Sequence, residues 1–139
     1  MRLNLTKTQG FSLLELIITI VIIGIIASIA IPSYQNHLLK TRRTEAQVAL
    51  MDTAIRLEHY YTENHSYSGA TMTNIGASIN TEQGHYTIGI SNLTNDSFLL
   101  TATPQAGQAN DTLCSNLTLN QLGVKSATGT ATSPQTECW

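Results

Sequence analysis

Between Phe11 and Ile31 the chain holds a single ionisable side chain, Glu15, in a run of otherwise apolar, small or hydroxylated residues. As a helix rising about 1.5 Å per residue, this run spans roughly 30 Å, the thickness of a bilayer's hydrocarbon core. In lipid every backbone group must be bonded internally, so its density of Ile does not prevent a helix. A carboxylate inside such a segment costs about 2.5–3.5 kcal/mol on insertion scales, so Glu15 reads as a functional residue with a partner. Before the run lies a ten-residue polar leader that carries Arg2 and Lys7 and is closed by Gly10.

Gly24 and Ser28 stand four apart, a small-xxx-small pattern that lets helices approach closely. Pro32 follows the run, removes one backbone donor and bends a helix that continues past it, so Gly24 and Pro32 are the expected kink. Beyond it Tyr34, Leu38, Ala46, Leu50, Ala54, Leu57 and Tyr61 recur mostly at helical steps. No glycine or second proline interrupts 33–62, and Asn64-His65-Ser66 reads as the stop. The pattern predicts one helix over about 12–63, wholly apolar in its first half and amphipathic in its second.

The remaining residues, about a hundred, suffice for one modest core. Only 12% of the chain is charged, about half the usual share. Net charge is −2, and loss of a leader with Arg2 and Lys7 takes it to −4, which argues against a general nucleic-acid binder. Cys114 and Cys138 form no CxxC pattern and have no histidine near them, which argues against zinc. A disulfide is the better reading, two buried free thiols the other. The bond would stabilise by roughly 3–4 kcal/mol and implies an oxidising compartment, hence a C-terminal domain outside the cytoplasm.

After residue 63 the chain is rich in Ser, Thr, Asn and Gly, and 63–84 reads as a long loop. Alternation and turn residues then place strands at His85–Ser91, Ser97–Thr103 and Thr112–Asn120, with a turn and short fourth strand over Gln121–Lys125 and an irregular end. The expected fold is α+β: a long N-terminal helix packed on a small antiparallel sheet of three or four strands, with a disulfide-closed C-terminus.

Three readings compete for the N-terminus. A secretory signal would be cut after Ala30 at Ser28-Ile29-Ala30. A plain signal anchor is the second; basic residues lie on both sides of the span, so charge does not orient it, and the disulfide places the C-terminus outside. The third rests on a resemblance. G-F-S-L-L-E-L-I at residues 10–17 resembles the processing site of type IV prepilins, and Pro32 falls where that family keeps a helix-bending proline. The resemblance implies cleavage by prepilin peptidase between Gly10 and Phe11, N-methylation of Phe11, and an assembly role for Glu15 opposite the Phe11 amine of a neighbouring subunit. A second stretch, C-x-x-L-T-L-x-x-x-G from Cys114, is similar to PilE-like pilins of the type IVa subclass and implies that the Cys114–Cys138 bond closes the C-terminal region.

On that reading 1–10 is a leader, 11–32 the transmembrane and filament-core helix, 33–63 its amphipathic half, and 64–139 the head (loop 64–84, sheet 85–126, disulfide region 114–138). The implied function is a structural pilus subunit with roles in adhesion, twitching motility or DNA uptake. Its implied partners are copies of itself or other pilins, prepilin peptidase, an inner-membrane assembly platform, and lipid before assembly. The implied location is the inner membrane with a periplasmic C-terminus, then the extracellular pilus. A type II secretion pseudopilin and a minor pilin with a DNA- or surface-binding tip are the alternatives.

Other constellations carry less. His59 and Glu63 stand four apart but have no third ligand in sequence, and no metal or cofactor is expected. Lys40, Arg42 and Arg43 could meet lipid headgroups, DNA or acids of neighbouring subunits, and a solvated helix face is the default. Tyr60, Tyr61 and Tyr67 could stack on bases, but packing of the helix end on the sheet is the stronger expectation. No Walker, GxSxG, HExxH or EF-hand motif proposes an enzyme.

Overall fold

Leu, Ala, Arg, Glu and Gln recur through residues 33–64, and such residues lose little entropy in a helix. The computed structural model describes residues 10–139, so Arg2 and Lys7 lie outside the described residues. Helix α1 runs Leu13–Asn64, within a residue of the expected bounds at both ends, and its helical structure carries through Gly24 and Pro32. Its end is set by local chemistry. Asn64 Nδ2 donates to Tyr60 O at 2.9 Å. His65 takes a left-handed φ of 54° and donates its N–H to Tyr61 O at 2.7 Å, which satisfies a terminal carbonyl.

The chain divides into two compact units at Asn36/His37. In the first, an 18-residue window has mean hydropathy 2.8 with none of it buried, long and apolar enough to cross a membrane by length and composition. The Ser28 hydroxyl donates to Ile25 O at 2.7 Å.

In the second unit the rest of α1 packs on a four-stranded antiparallel meander, order β1-β2-β3-β4. The strands are β1 Tyr86–Ser91, β2 Leu99–Pro104, β3 Leu117–Asn120 and β4 Lys125–Ala127. Register aligns Ile88, Ala102, Leu117 and Ala127 across the sheet, and Ile90, Leu100 and Leu119 beside them. These rows meet Ala46, Leu50 and Leu57 of α1, with Tyr67, Tyr86 and Phe98 filling the core. The alternate residues Gly89, Thr101, Thr118 and Ser126 form a matching row of small and hydroxylated side chains on the other face. One face apolar and one polar is the usual state of an antiparallel sheet. The α+β architecture with its disulfide-closed C-terminus is therefore as the sequence indicates.

Strand bounds shift for identifiable reasons. β2 starts at Leu99 rather than Ser97, because Ser97 is held in a turn, its carbonyl accepting the Thr94 N–H at 3.0 Å. β3 starts at Leu117 rather than Thr112, because 111–116 carry the turn into the disulfide. The fourth strand is Lys125–Ala127 rather than a part of Gln121–Lys125. Asn120 Oδ1 accepts from Leu122 N at 3.0 Å and Val124 N at 2.9 Å, so 121–124 is a tight turn. Two short elements were not anticipated: a 3₁₀ turn at Ala106–Asn110 and α2, Pro134–Glu137. Gly129 (φ +131°) packs its backbone on the Leu113 carbonyl, where any Cβ would overlap it.

Candidate assembly site and head network

Leu16 N donates to Ser12 O at 3.1 Å, which starts the first turn of α1 two residues after Gly10. Gly10 and Phe11 are exposed, Phe11 by 77%. Glu15 lies in that first turn, exposed, and its carbonyl accepts the Thr19 hydroxyl at 2.6 Å. Chemically this is a carboxylate near the positive end of a helix dipole, close in sequence to Phe11 and surrounded by exposed apolar side chains. The described residues give its side chain no hydrogen-bond partner within the chain.

In the head the basic cluster is split. Lys40 is exposed and Arg42 half-buried, but Arg43 is only 6% exposed. The solvated-face expectation for Lys40, Arg42 and Arg43 is thus corrected at Arg43. Its Nε donates to Asp111 Oδ2 at 2.6 Å and its Nη2 to Asp111 Oδ1 at 2.8 Å, a bidentate pair. Its Nη1 donates to Glu137 O at 3.1 Å, and Gln47 Nε2 donates to Cys138 O at 2.9 Å. Asp111 Oδ1 also accepts the Cys114 N–H at 3.2 Å. One ion pair therefore touches α1, the 111–114 turn and the C-terminal segment, beside the disulfide Cys114–Cys138.

Gln108 extends the network inward. Its Nε2 contacts Tyr86 Oη at 2.9 Å, Leu39 O at 3.2 Å and Asp111 Oδ2 at 3.3 Å, while its Oε1 is buried without a partner. Burial pushes the Tyr86 phenol up to about 12, so it stays protonated at neutral pH.

A second polar clasp holds the loop to the helix. Glu45 Oε1 accepts Gln83 N at 2.9 Å and Oε2 meets His85 Nδ1 at 2.7 Å. Burial alone would raise the Glu45 pKa. Hydrogen bonds from Thr81, His85 and the Gln83 N–H, together with the charge of His85, outweigh it and hold the carboxyl below its ordinary value of 4.5. Neither Gln108 nor the Glu45–His85 clasp was anticipated.

The remaining candidates fall where packing puts them. His59 Nδ1 and Glu63 Oε1 sit 3.7 Å apart, both well exposed, and no group of three or more ligand-type side chains occurs among the described residues. Tyr67 stacks against Tyr61 (centroids 4.6 Å) and edge-on to Phe98 (5.0 Å), which ties the helix end to the sheet. Tyr60 packs beside the same core.

An apolar helical stem continued into an amphipathic half, a four-strand meander and a C-terminal staple define a pilin-type subunit. Residues 32–118, more than half of the chain, match the family model described as type IV minor pilin ComP, DNA uptake sequence receptor, and the chain belongs to that family. Residues 5–31 match the prokaryotic N-terminal methylation motif. A fimbrial protein of Neisseria meningitidis (serogroup A) is 33% identical over 82 residues, 58% of this chain and 48% of the relative. Type IV major fimbrial protein FimA of Dichelobacter nodosus is 47% identical over 49 residues, 34% of this chain and 31% of its own. The chain thus spans half or less of the curated relatives it matches. Among solved structures, a type IV pilin of Shewanella oneidensis aligns with TM-score 0.54 at 26% identity, over 73% of this chain and 97% of its own. The Neisseria meningitidis non-core minor pilin PilV aligns with TM-score 0.57 at 24% identity, over 73% and 94%, a likeness of fold.

Proposed function

We propose that this chain is a structural, non-catalytic subunit of a type IV pilus, cut by prepilin peptidase between Gly10 and Phe11 and methylated on the new Phe11 amine. The observation that carries the reading is Glu15, a lone carboxylate in the first turn of an apolar helix that the methylation-motif match covers. Before the cut, 11–32 holds the subunit in the inner membrane with its head periplasmic, a placement the disulfide supports. After it, Glu15 of one subunit faces the Phe11 amine of a neighbour. The carboxylate loses water but gains a charge partner, which gives register to otherwise featureless apolar helices. In sheared filaments the chain is expected to begin at methylated Phe11 by intact mass and N-terminal sequencing, and Glu15→Ala is expected to abolish its recovery there. A chain starting at Ile31 would sink the proposal.

A second role is supported by the match of 32–118 to a family described as a DNA uptake sequence receptor. On this reading the head also binds DNA, with Lys40 and Arg42 as the members of the 40–43 basic cluster that the fold leaves accessible. The full chain in micelles is expected to retard duplex DNA in a gel, and Lys40→Ala/Arg42→Ala to weaken this about tenfold with a steep salt dependence. No retardation at low salt removes the DNA role and leaves the structural one. Arg43 is unsuitable for this test, because its loss disrupts the core.

A further inference from the structure

Charge on α1 is sorted along the sequence. From Pro32 to Thr44 it carries Lys40, Arg42 and Arg43 and no carboxylate. From Glu45 to Glu63 it carries four carboxylates, Glu45, Asp52, Glu58 and Glu63, against one arginine, Arg56. A chain with net charge −2 thus places three basic residues within four positions, soon after the apolar run. Arg43 is paired with Asp111. Among the described residues no ion pair involves Lys40 or Arg42.

The Ala106–Asn110 turn lies against the same stretch of helix. Gln108 Nε2 donates to Leu39 O at 3.2 Å, and a Cβ on Gly107 would lie 3.7 Å from Arg42 Nη1. The exposed residues of the turn, Ala106, Gly107, Ala109 and Asn110, are small and uncharged, and exposed Leu113 follows. The one carboxylate of this stretch, Asp111, is buried. The surface is therefore an uncharged, partly apolar ledge with a guanidinium beside it and an ammonium two residues earlier on the helix.

Chain length limits how far this ledge can lie from the span. Eight helical steps, about 12 Å, separate Ile31, the last residue of the apolar run, from Leu39. The headgroup layer occupies about 5–8 Å of that on one side of a bilayer, and long basic side chains reach back toward it. Tyr34, 67% exposed, falls three residues past the run, the position of an interfacial aromatic. We propose that the 106–113 ledge docks on anionic phospholipid headgroups while the subunit is anchored, with Lys40 and Arg42 pairing with lipid phosphates. The carboxylates from Glu45 onward are repelled by such a surface, so the sorted charge favours docking by this end alone. The proposal rests on the reading of 11–32 as a membrane span.

The full chain in nanodiscs, with the disulfide intact, provides the test. Discs of phosphatidylcholine are compared with discs that also contain phosphatidylglycerol, and amide exchange is followed by residue. A cation near an anionic surface contributes about fivefold. Exchange across 106–113 is therefore expected to slow about tenfold in the anionic discs, while 65–69, after the other end of α1, is unchanged. High salt should erase the difference. Lys40→Gln/Arg42→Gln, checked for an unchanged melting curve, should remove it, and Lys40→Gln alone should remove part. Equal exchange in both discs, or a difference indifferent to these variants, overturns the proposal. Protection of the same amides by duplex DNA in neutral discs, with none from anionic lipid, overturns it in favour of the DNA role. A chain retained in neither disc would overturn the span reading and the docking with it, whereas retention without lipid-dependent protection overturns the docking alone.

Discussion

Arg43→Met is expected to lower the stability of the head by about 3–5 kcal/mol, a large part of the 5–15 kcal/mol that ordinarily holds a domain folded. Methionine keeps much of the apolar stem that packs on the core but strands the Asp111 carboxylate, 2% exposed, with no charge partner. It also frees the Glu137 carbonyl, which Arg43 Nη1 holds at 3.1 Å. Arg43→Lys keeps the charge but loses the two-pronged geometry, so an intermediate loss is expected. Arg43→Met/Asp111→Leu should recover part of the stability, because a buried pair replaced by apolar groups is often near neutral. Recovery stops short of complete, since Cys114 N and Gln108 Nε2 would lose an acceptor. Urea denaturation of the full chain followed by circular dichroism measures all three. A wild-type midpoint for Arg43→Met would show that the pair contributes nothing net.

The sequence carried a signal for this pair that periodicity alone did not use. Arg43, Ala46, Leu50, Thr53 and Leu57 are the buried residues of α1, spaced three, four, three and four. A charge in register with a buried stripe requires a partner, but Arg43 was grouped with Lys40 and Arg42 because they are neighbours in sequence. The partner was harder to find. Asp111 lies 68 residues away in a stretch that reads as a polar loop, and only the turn at Ala106–Asn110 brings it under the helix. The Glu45–His85 clasp, 40 residues apart, was hidden for the same reason.

The architecture was more legible because it rests on local patterns. Alternation in 86–90 and in 117–119 places the core face of β1 and β3 correctly, and the change from an all-apolar run to an amphipathic stripe marks the two halves of α1. Strand ends were less legible. They are fixed by side chains that bond backbone, such as Asn120 with Leu122 and Val124, and composition does not distinguish such an asparagine from a solvated one.

Reducing the Cys114–Cys138 bond is expected to lower the stability of the head by about 3–4 kcal/mol, the value for a loop of this size. How the loss is distributed follows from what else holds the segment. Thr130 N still donates to Thr112 O at 3.0 Å and Ala131 N to Leu113 O at 3.1 Å, so the start of the segment stays docked. The end depends on α1: Arg43 holds Glu137 O and Gln47 holds Cys138 O. In the wild type, then, amide exchange after reduction should rise first at Glu137 and Cys138 while β1 and β2 keep their protection. In Arg43→Met the same reduction leaves Gln47 as the tether from α1 to the end of the segment, so exchange at Glu137 and Cys138 should rise further and the β4 edge, where Trp139 Nε1 donates to Ser126 O at 2.8 Å, should loosen. An unchanged denaturation midpoint after thiol titration proves complete reduction would overturn this account. With both restraints acting on one short segment, the head is expected to be most stable when oxidised and ion-paired together, in keeping with the proposed periplasmic placement.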